Sequence, residues 1–410
     1  MTQTVLDVPF WTAEAKVPNQ YPYLTEDLDC EVAVVGGGIT GALCAYALAK
    51  AGVNTVLLDS ALIGFGATGT ASSILQYDID YDLSSLKDLI GIENAVRAYR
   101  ACARGLDEID RLVRELGANV GFSRRDSFYY AQDPCDAHTI KQEYLLRRRH
   151  EFPAELLDSA RAADRFSFRV EAGIYASNMA GEVDPYRLTH AVIADAVSAG
   201  LRVFENTPVE SASPELSGIR LTTHTHHTVT AKKMVNATGL AAAREAGHVV
   251  QKRTTFCVVT APVQGFDGWY NRCVIRDNCP GSVYLRTLPD DRILIGGLDT
   301  CFLDVRGALA GILPVHSAAN SRFDYLEHRL ASMMTGIDGI ESEYRFKGAT
   351  IDTGDGLPYV GERPDCPNVY YTLCGGSNGI VFAQLAADLV RDFYLGGDAA
   401  DCDLFAFGRL

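Results

Sequence analysis

No stretch of the 410-residue chain approaches the run of about 18 apolar residues that a membrane-spanning helix needs, so no transmembrane segment is expected. The opening, Met1 to Tyr23, lacks the basic start and apolar block of a secretory leader, and a cytoplasmic location is expected. Positive charge is also scarce. Lys and Arg number 37 against 52 Asp and Glu, for a net charge of −15. Binding a phosphate backbone requires clustered Lys and Arg, so neither nucleic acid nor anionic lipid is an expected partner. The 11 cysteines follow no short repeating spacing. Cys273 and Cys279 lie close together, but no His or second Cys pair completes a zinc pattern. Reduced thiols and no metal site are expected. There is no internal repeat and no low-complexity tract. What remains is ordinary globular composition, 47% hydrophobic and 22% charged, in a chain too long for one core. Two or three domains are expected.

The first positive signal is near the N-terminus. Glu31-Val32-Ala33-Val34-Val35 is a short β-branched run that reads as a buried strand. Gly36-Gly37-Gly38-Ile39-Thr40-Gly41 follows at once, then an Ala/Leu-rich helix over Ala42–Ala51 and a stop at Gly52. A second strand, Thr55 to Leu58, ends at Asp59 and Ser60. This is the strand–GxGxxG–helix–strand–acid order of a dinucleotide-binding unit. Gly36 allows the tight turn, Gly38 lets backbone approach a pyrophosphate, and Gly41 lets helix and strand pack closely. Free N–H groups at Ile39 and Thr40 and the helix dipole favour phosphate. Asp59, about 18 residues past Gly41, suits a ribose hydroxyl. An acid there fits FAD or NAD and disfavours NADP, without choosing between the first two.

Three further segments bear on that choice, through the resemblance they carry. The loop Gly64 to Ser73 holds Thr68, Gly69, Thr70, Ala71 and Ser72, which suit a second phosphate and a flavin ring. Met234 to Asn236 reads as a strand running into Ala237-Thr238-Gly239, small residues that let the chain pass close to a dinucleotide. Asp355-Gly356-Leu357-Pro358 precedes a strand at Val369–Leu373. That strand enters Gly375-Gly376-Ser377-Asn378-Gly379-Ile380 and a helix to about Leu395. A glycine-rich helix start there can set N–H groups beside a flavin carbonyl.

Together these segments resemble the FAD-dependent D-amino-acid oxidase superfamily, which includes glycine oxidase and the sarcosine oxidases. The resemblance covers nearly the whole chain. Glu182 to Leu188 resembles the family's acid-x-Asp-Pro helix entry. Gly200–Phe204 with Thr207–Glu210 resembles the strand passing the adenine, with Val209 at the backbone contact. The opening, Pro9-Phe10-Trp11 through Leu24, resembles a bacterial subgroup, some members of which carry a Rieske domain. No Cys/His pair pattern follows the last helix, so no iron–sulfur cluster is expected. The resemblance implies an α/β fold: a Rossmann-type FAD-binding domain with a mixed-sheet α+β substrate domain. The FAD domain is expected from 28–80, 176–250 and 345–410, the substrate domain from 81–175 and 251–344, with 1–27 as an extension. Helices are expected at Ile92–Leu116 and Asp136–Arg149. Strands are expected at Thr255–Thr260, Ser282–Thr287 and Ile293–Gly297, with a hairpin turn at Pro289-Asp290-Asp291.

The resemblance implies oxidation of a small amine or amino acid, with hydride passing to flavin. Arg286 is the candidate for binding a substrate carboxylate, since guanidinium gives bidentate recognition; a structural arginine is the alternative. Tyr284 is a candidate wall, and Gln76, Tyr77 and Asp78 follow the flavin loop toward the site; packing is the plainer role for each. Some sarcosine oxidases attach FAD to a Cys where this chain has Gly348-Ala349-Thr350, so FAD is expected to be non-covalent. Those enzymes place an oxygen-activating Lys where this chain has Leu294, which leaves O2 or another acceptor open. Of His224, His226 and His227, alternation would put His224 and His226 on one strand face suited to a metal; the alternative is an exposed hairpin, and the hairpin is preferred. Arg147-Arg148-Arg149 reads as a solvated helix end. Two other functions stay open: oxidation of a 2-hydroxy acid, or a flavin-binding subunit of a larger dehydrogenase complex. A plain NAD dehydrogenase would leave the C-terminal glycine motif unexplained. Substrate and oligomeric state are not legible.

Overall fold

The computed structural model describes residues 4–245, 250–279, 281–301 and 315–409. Two sheets share the chain. The eight-stranded nucleotide sheet runs Tyr359–Arg363, Cys366–Leu373, Thr228–Asn236, Leu28–Val35, Thr55–Leu58, Arg202–Phe204, with a hairpin of Val209–Glu215 and Gly218–Thr223 beside Thr228–Asn236. Its central pairings, from Cys366–Leu373 across to Arg202–Phe204, are all parallel. Parallel strands are buried on both faces, and the residues show it. Val32, Val34 and Leu57 face a core made with the helices. Ala33, Val35, Val56 and Leu58 face the opposite core, with Ile219 and Leu221 of the hairpin.

Three helices cover the first face: Ile39–Lys50, Pro185–Ser198 and Gly379–Leu395. The long helix Ile92–Leu116 packs outside them. It buries Ala95, Val96, Tyr99, Cys102, Leu106 and Ile109, a stripe at helical spacing, and stops at Gly117 in the left-handed region. Gly105 lets it come close to the C-terminal helix, since a Cβ there would lie 2.9 Å from Val381.

The second sheet has ten strands and is mixed. Its order is Val5–Leu6, Ser342–Thr353, Val250–Thr260, Ile293–Cys301, Val283–Thr287, Val274–Asp277, Ser123–Ala131, Ala172–Glu182, Ile74–Gln76, with Glu155–Asp158 on Ala172–Glu182. Phe323, Leu326, Leu330 and Met333, from the helix Val315–Met333, pack on Phe256 and Val258 of this sheet. The expected turn at Pro289–Asp291 closes the hairpin between Val283–Thr287 and Ile293–Cys301, with Asp291 at φ +60°.

Of two local readings, the preferred one for the histidines holds and the one for Arg147 changes. The histidines share no strand face. His224 to His227 form the turn between Gly218–Thr223 and Thr228–Asn236, with His226 at φ +65°. This is the exposed hairpin. The Arg147 end of its helix is not solvated. Arg147 is among the largest fully buried side chains, whereas Arg148 and Arg149 are exposed. A three-residue basic run at helical pitch cannot point all its members one way. Arg147 turns inward to two acids.

Candidate functional site

The cradle starts where Leu28–Val35 ends. Gly36 has φ +109°, and a Cβ on it would lie 2.4 Å from the Ala237 carbonyl oxygen. A Cβ on Gly41 would lie 1.8 Å from the Gly36 oxygen, so helix and turn touch at a distance only glycine permits. Gly38 precedes the helix and has no side chain to cap it; instead Thr68 accepts a hydrogen bond from the Ile39 N–H at 2.9 Å. Thr40 lies in the first turn of that helix. Asp59 accepts hydrogen bonds from the N–H of Gly37 (2.5 Å) and Ala61 (2.7 Å). Burial pushes its carboxyl above the ordinary range, against those two hydrogen bonds. Ser60 beside it is exposed. The Thr207 N–H donates to the Asp59 carbonyl (2.7 Å), which brings Val209, half-buried at the start of its strand, next to the acid's loop. Thr238 donates its N–H and hydroxyl to Asn236 Oδ1, and Gly239 follows at φ +56°.

Glu205 was not singled out by sequence. Buried, it accepts hydrogen bonds from the N–H groups of Tyr21 and Ile63, tying the N-terminal segment to the cradle. An isolated acid at a strand end carries no sequence signal.

The second half of the site lies where the sheets meet. Thr68, Gly69 and Thr70 form a short 3-10 turn, and Ala71 and Ser72 continue toward Ile74–Gln76. The Trp11 indole donates to the Ala71 carbonyl at 2.7 Å. Arg286 is fully buried beneath this loop. Its Nη1 donates to the carbonyls of Ser73 (2.6 Å), Val183 (3.0 Å) and Ser72 (3.2 Å), and its Nε to that of Thr287 (3.0 Å). The guanidinium therefore offers no open fork for a carboxylate. Burial pulls it down to about 10, opposed by the charges of Glu182 and Asp184. One nitrogen, Nη2, is buried without a hydrogen-bond partner among the described residues, as is Ser73 Oγ.

The glycine-rich C-terminal turn is clasped to the other strand of the seam. Asn378 donates its amide to the Gln76 carbonyl (2.8 Å) and accepts from the Gln76 N–H (3.2 Å). Ser377 N–H donates to Asp80 at 3.1 Å, and Gly376 N–H to Thr350 Oγ1 at 3.1 Å. The helix begins at Gly379 and Ile380. Tyr284 stands half-buried on the larger sheet, its hydroxyl 3.1 Å from Thr255 Oγ1. A Cβ on Gly296 would lie 2.6 Å from its ring. Thr255 in turn lies against Gly348, which also approaches the Thr70 carbonyl. Gln76, Tyr284 and Arg286 thus lie around one seam, and Arg286 turns its Nη1 and Nε to backbone carbonyls.

Behind Gln76–Asp80 is a buried ionic cluster. Asp78 Oδ2 receives Arg276 Nη2 at 3.0 Å and lies 3.5 Å from Arg147 Nη1. Arg147 also donates to Glu143 (2.7 Å) and to the Tyr77 hydroxyl (2.7 Å). Glu143 accepts from the N–H groups of Leu83 and Ser84 at 2.9 Å each. Arg276 donates to the Ile79 carbonyl at 3.0 Å. These residues fix the segment leading from the flavin loop to Asp80. Among the described residues no group of three His, Cys, Asp or Glu is placed to hold a metal. No helix among them is long and apolar enough to cross a membrane.

A parallel sheet with a glycine turn at the dinucleotide position, beside a larger mixed sheet, defines a dinucleotide-binding protein. The FAD dependent oxidoreductase (DAO) family model matches residues 31–393, and the chain belongs to that family. The chain is similar to glycine oxidase of Geobacillus kaustophilus (strain HTA426), 27% identical over 372 residues, 88% of this chain and 92% of that protein. It is also similar to gamma-glutamylputrescine oxidoreductase of Escherichia coli (strain K12), 26% identical over 412 residues, 97% of this chain and 91% of that protein. The solved glycine oxidase from Geobacillus kaustophilus superimposes with a TM-score of 0.77 at 24% identity, over 93% of this chain and 99% of that one, and shares the fold. The protein is an FAD-dependent oxidoreductase. The residues present fit that cofactor: Gly36 and Gly41 permit the tight strand–turn–helix approach of a dinucleotide cradle, and Ser73 Oγ and Arg286 Nη2 are buried polar atoms lacking a partner among the described residues.

Proposed function

We propose that this oxidoreductase breaks a C–H bond next to nitrogen in a small amine or amino acid, with FAD held non-covalently. The observation that carries the reading is that two relatives spanning nearly the whole chain are named for an amino acid and an amine as substrates. FAD supplies the hydride acceptor when bound. The chain's own residues bind, orient and exclude water. In this reading the N–H groups of Gly38 and Thr40 face the diphosphate beside Ile39, whose own N–H is held by Thr68; Asp59 and Ser60 face the adenosine ribose, and Val209 the adenine. Thr68 to Ser72, Thr238 and Gly239 line the dinucleotide. With the Gly376 and Ser377 N–H groups held by Thr350 and Asp80, Gly379 and Ile380 at the helix start present theirs to the ring, where a helix start stabilises negative charge. Arg286 holds the flavin loop by its backbone carbonyls and offers Nη2 inward. The nucleotide sheet carries the cofactor and the larger sheet covers the substrate.

Non-covalent binding is supported by Gly348-Ala349-Thr350, which has no thiol, and by Cys374, whose Sγ donates to the Phe382 carbonyl. An acceptor other than O2 is supported by Leu294, which puts an apolar side chain where the oxygen-activating Lys would stand and is buried in a cluster with Trp11, Tyr186 and Phe346. The test is anaerobic mixing of the purified holoprotein with glycine, sarcosine, γ-glutamylputrescine and lactate, following flavin absorbance near ~450 nm, where the cofactor carries the signal. Bleaching by the amines and not lactate is expected, with slow return of colour in air. Bleaching by lactate alone overturns the proposal.

A further inference from the structure

Three carboxylates lie at the seam: Asp80, Asp299 and Asp352. Asp80 accepts the Ser377 N–H at 3.1 Å, and Asp352 pairs with Arg253 at 2.5 Å. Asp299 has Thr255 as a hydrogen-bond partner, but its Oδ1 is buried with none among the described residues.

The backbone is distorted at Asp299. In the pairing of Val250–Thr260 with Ile293–Cys301, Phe256 faces Gly297 and Thr254 faces Thr300, so the second strand carries one extra residue between them. This is a β-bulge, a device that re-aims a side chain and gathers near active sites. Gly297 has φ +131°, and a Cβ there would lie 2.0 Å from the Ser282 carbonyl oxygen. Leu298 has φ +58°, a left-handed conformation that costs a branched residue energy. Its N–H is held by the Gly281 carbonyl at 2.6 Å. A strained bulge that ends in an open carboxylate oxygen is a local conflict of the kind expected at functional sites.

The groups facing Asp299 come from every neighbouring element. Arg253 and Thr255 lie on Val250–Thr260, with Cys257 behind; Tyr284 lies on Val283–Thr287, Asp352 on Ser342–Thr353, and Asp80 on the segment clasped to Ser377. Thr255 joins Tyr284 on one side and Gly348 on the other, at the loop expected to touch the flavin. Burial pushes Asp299 up to about 6; Thr255 and Arg253 oppose this, and Asp80 and Asp352 add to it.

We propose that Asp299 is the catalytic residue that binds the substrate's ammonium group and takes its proton, which rests on the amine-oxidising reading above. One N–H proton passes to the Asp299 carboxylate and leaves the nitrogen lone pair free. The adjacent C–H bond breaks, its electron pair leaving as hydride to the flavin, which is reduced, while C=N forms. Water hydrolyses the iminium product to a carbonyl compound and ammonia or an amine, and Asp299 returns its proton to solvent. A 2-hydroxy acid brings no cation to meet this carboxylate, so the residue selects nitrogen over oxygen.

The experiment compares wild-type, Asp299→Asn and Thr255→Val holoproteins, first by FAD content and visible spectrum. Anaerobic bleaching by glycine, sarcosine and γ-glutamylputrescine is then followed from pH 5 to 9. A general base contributes on the order of 100-fold or more. Wild type should lose rate about tenfold per pH unit below about 6, as the carboxylate is protonated. Asp299→Asn should be roughly 100-fold slower and lose that limb. Thr255→Val removes a hydrogen bond that favours the charged form, so its limb should move to higher pH. An Asn variant that keeps FAD, rate and limb overturns the proposal while leaving the amine reading intact. If the Asn variant fails to hold FAD, an unshifted limb in Thr255→Val overturns it. A wild type that holds FAD but is bleached by none of the three amines overturns both.

Discussion

Replacing Arg147 by methionine tests the buried ionic cluster directly. Arg147 and Glu143 have side chains 1% and 0% exposed, and their contact at 2.7 Å is far from screening solvent. Methionine fills similar space but strands charge: Glu143 keeps its two backbone N–H groups, and Asp78 keeps Arg276, yet each loses a cation. Removing one partner of a buried pair costs about 3–5 kcal/mol, because the other charge stays desolvated. That is a hundred-fold to several-thousand-fold change in the unfolding equilibrium, at about 1.4 kcal/mol per factor of ten. The assay is urea unfolding of the holoprotein, read by far-ultraviolet dichroism, beside Arg114→Met. Arg114 pairs with Asp110 on the helix surface with 73% of its side chain exposed, and its loss should barely move the midpoint. Glu143→Gln and the double variant complete a cycle, in which coupling of about 1–3 kcal/mol is expected. The pH dependence has a sign. Burial raises the Glu143 carboxyl, but Arg147 and the two backbone N–H groups more than offset it, leaving the group below its ordinary range. The stabilisation is therefore present above the unfolded value and is lost as pH falls through the folded one. Equal midpoints for Arg147→Met and Arg114→Met would refute the reasoning.

Gly41→Ala would place a methyl 1.8 Å from the Gly36 oxygen, so the purified variant should carry little or no FAD; full flavin content would sink the cradle geometry. Asn378→Ala removes two hydrogen bonds to Gln76, and faster FAD release on dilution is expected, with unchanged release as the contrary result. Arg286→Met leaves carbonyls of Ser72, Ser73 and Val183 without their donor and should cost about 2 kcal/mol or more in urea. An Arg286→Lys variant with wild-type stability and a raised KM alone would restore a substrate-clamp role.

The cofactor cradle was legible because its rules are local. Gly36, Gly38 and Gly41 answer to backbone geometry within one turn, and Val32 to Val35 carry the period of a strand buried on both faces. The helix Ile92–Leu116 was readable from its apolar stripe down to its last turn. Arg286 was placed correctly on its strand, but which atoms it meets depends on Ser72, Ser73 and Val183, far away in sequence. Arg147 failed in part for the same reason: Glu143 lies one turn back on its own helix, but Asp78 and Tyr77 come from a loop far away in sequence. Glu205 and the bulge at Leu298-Asp299 gave no signal at all. One is a lone acid, and the other depends on strand register, which periodicity does not count.

The strand order of the nucleotide sheet also governs how the chain is made. Leu28–Val35 emerges from the ribosome well before its neighbour Thr228–Asn236, and Cys366–Leu373 follows later still. Until then an apolar edge formed by Val32 to Val35 has no partner on one side, so the nascent chain is exposed to mispairing and is a natural client for chaperones. The turn at Gly376–Ile380 arrives last of all. Cofactor capture is therefore a late event in biogenesis, and the supply of FAD in the cell bears on how much finished protein survives, since ligand binding draws the folded state out of the unfolded pool.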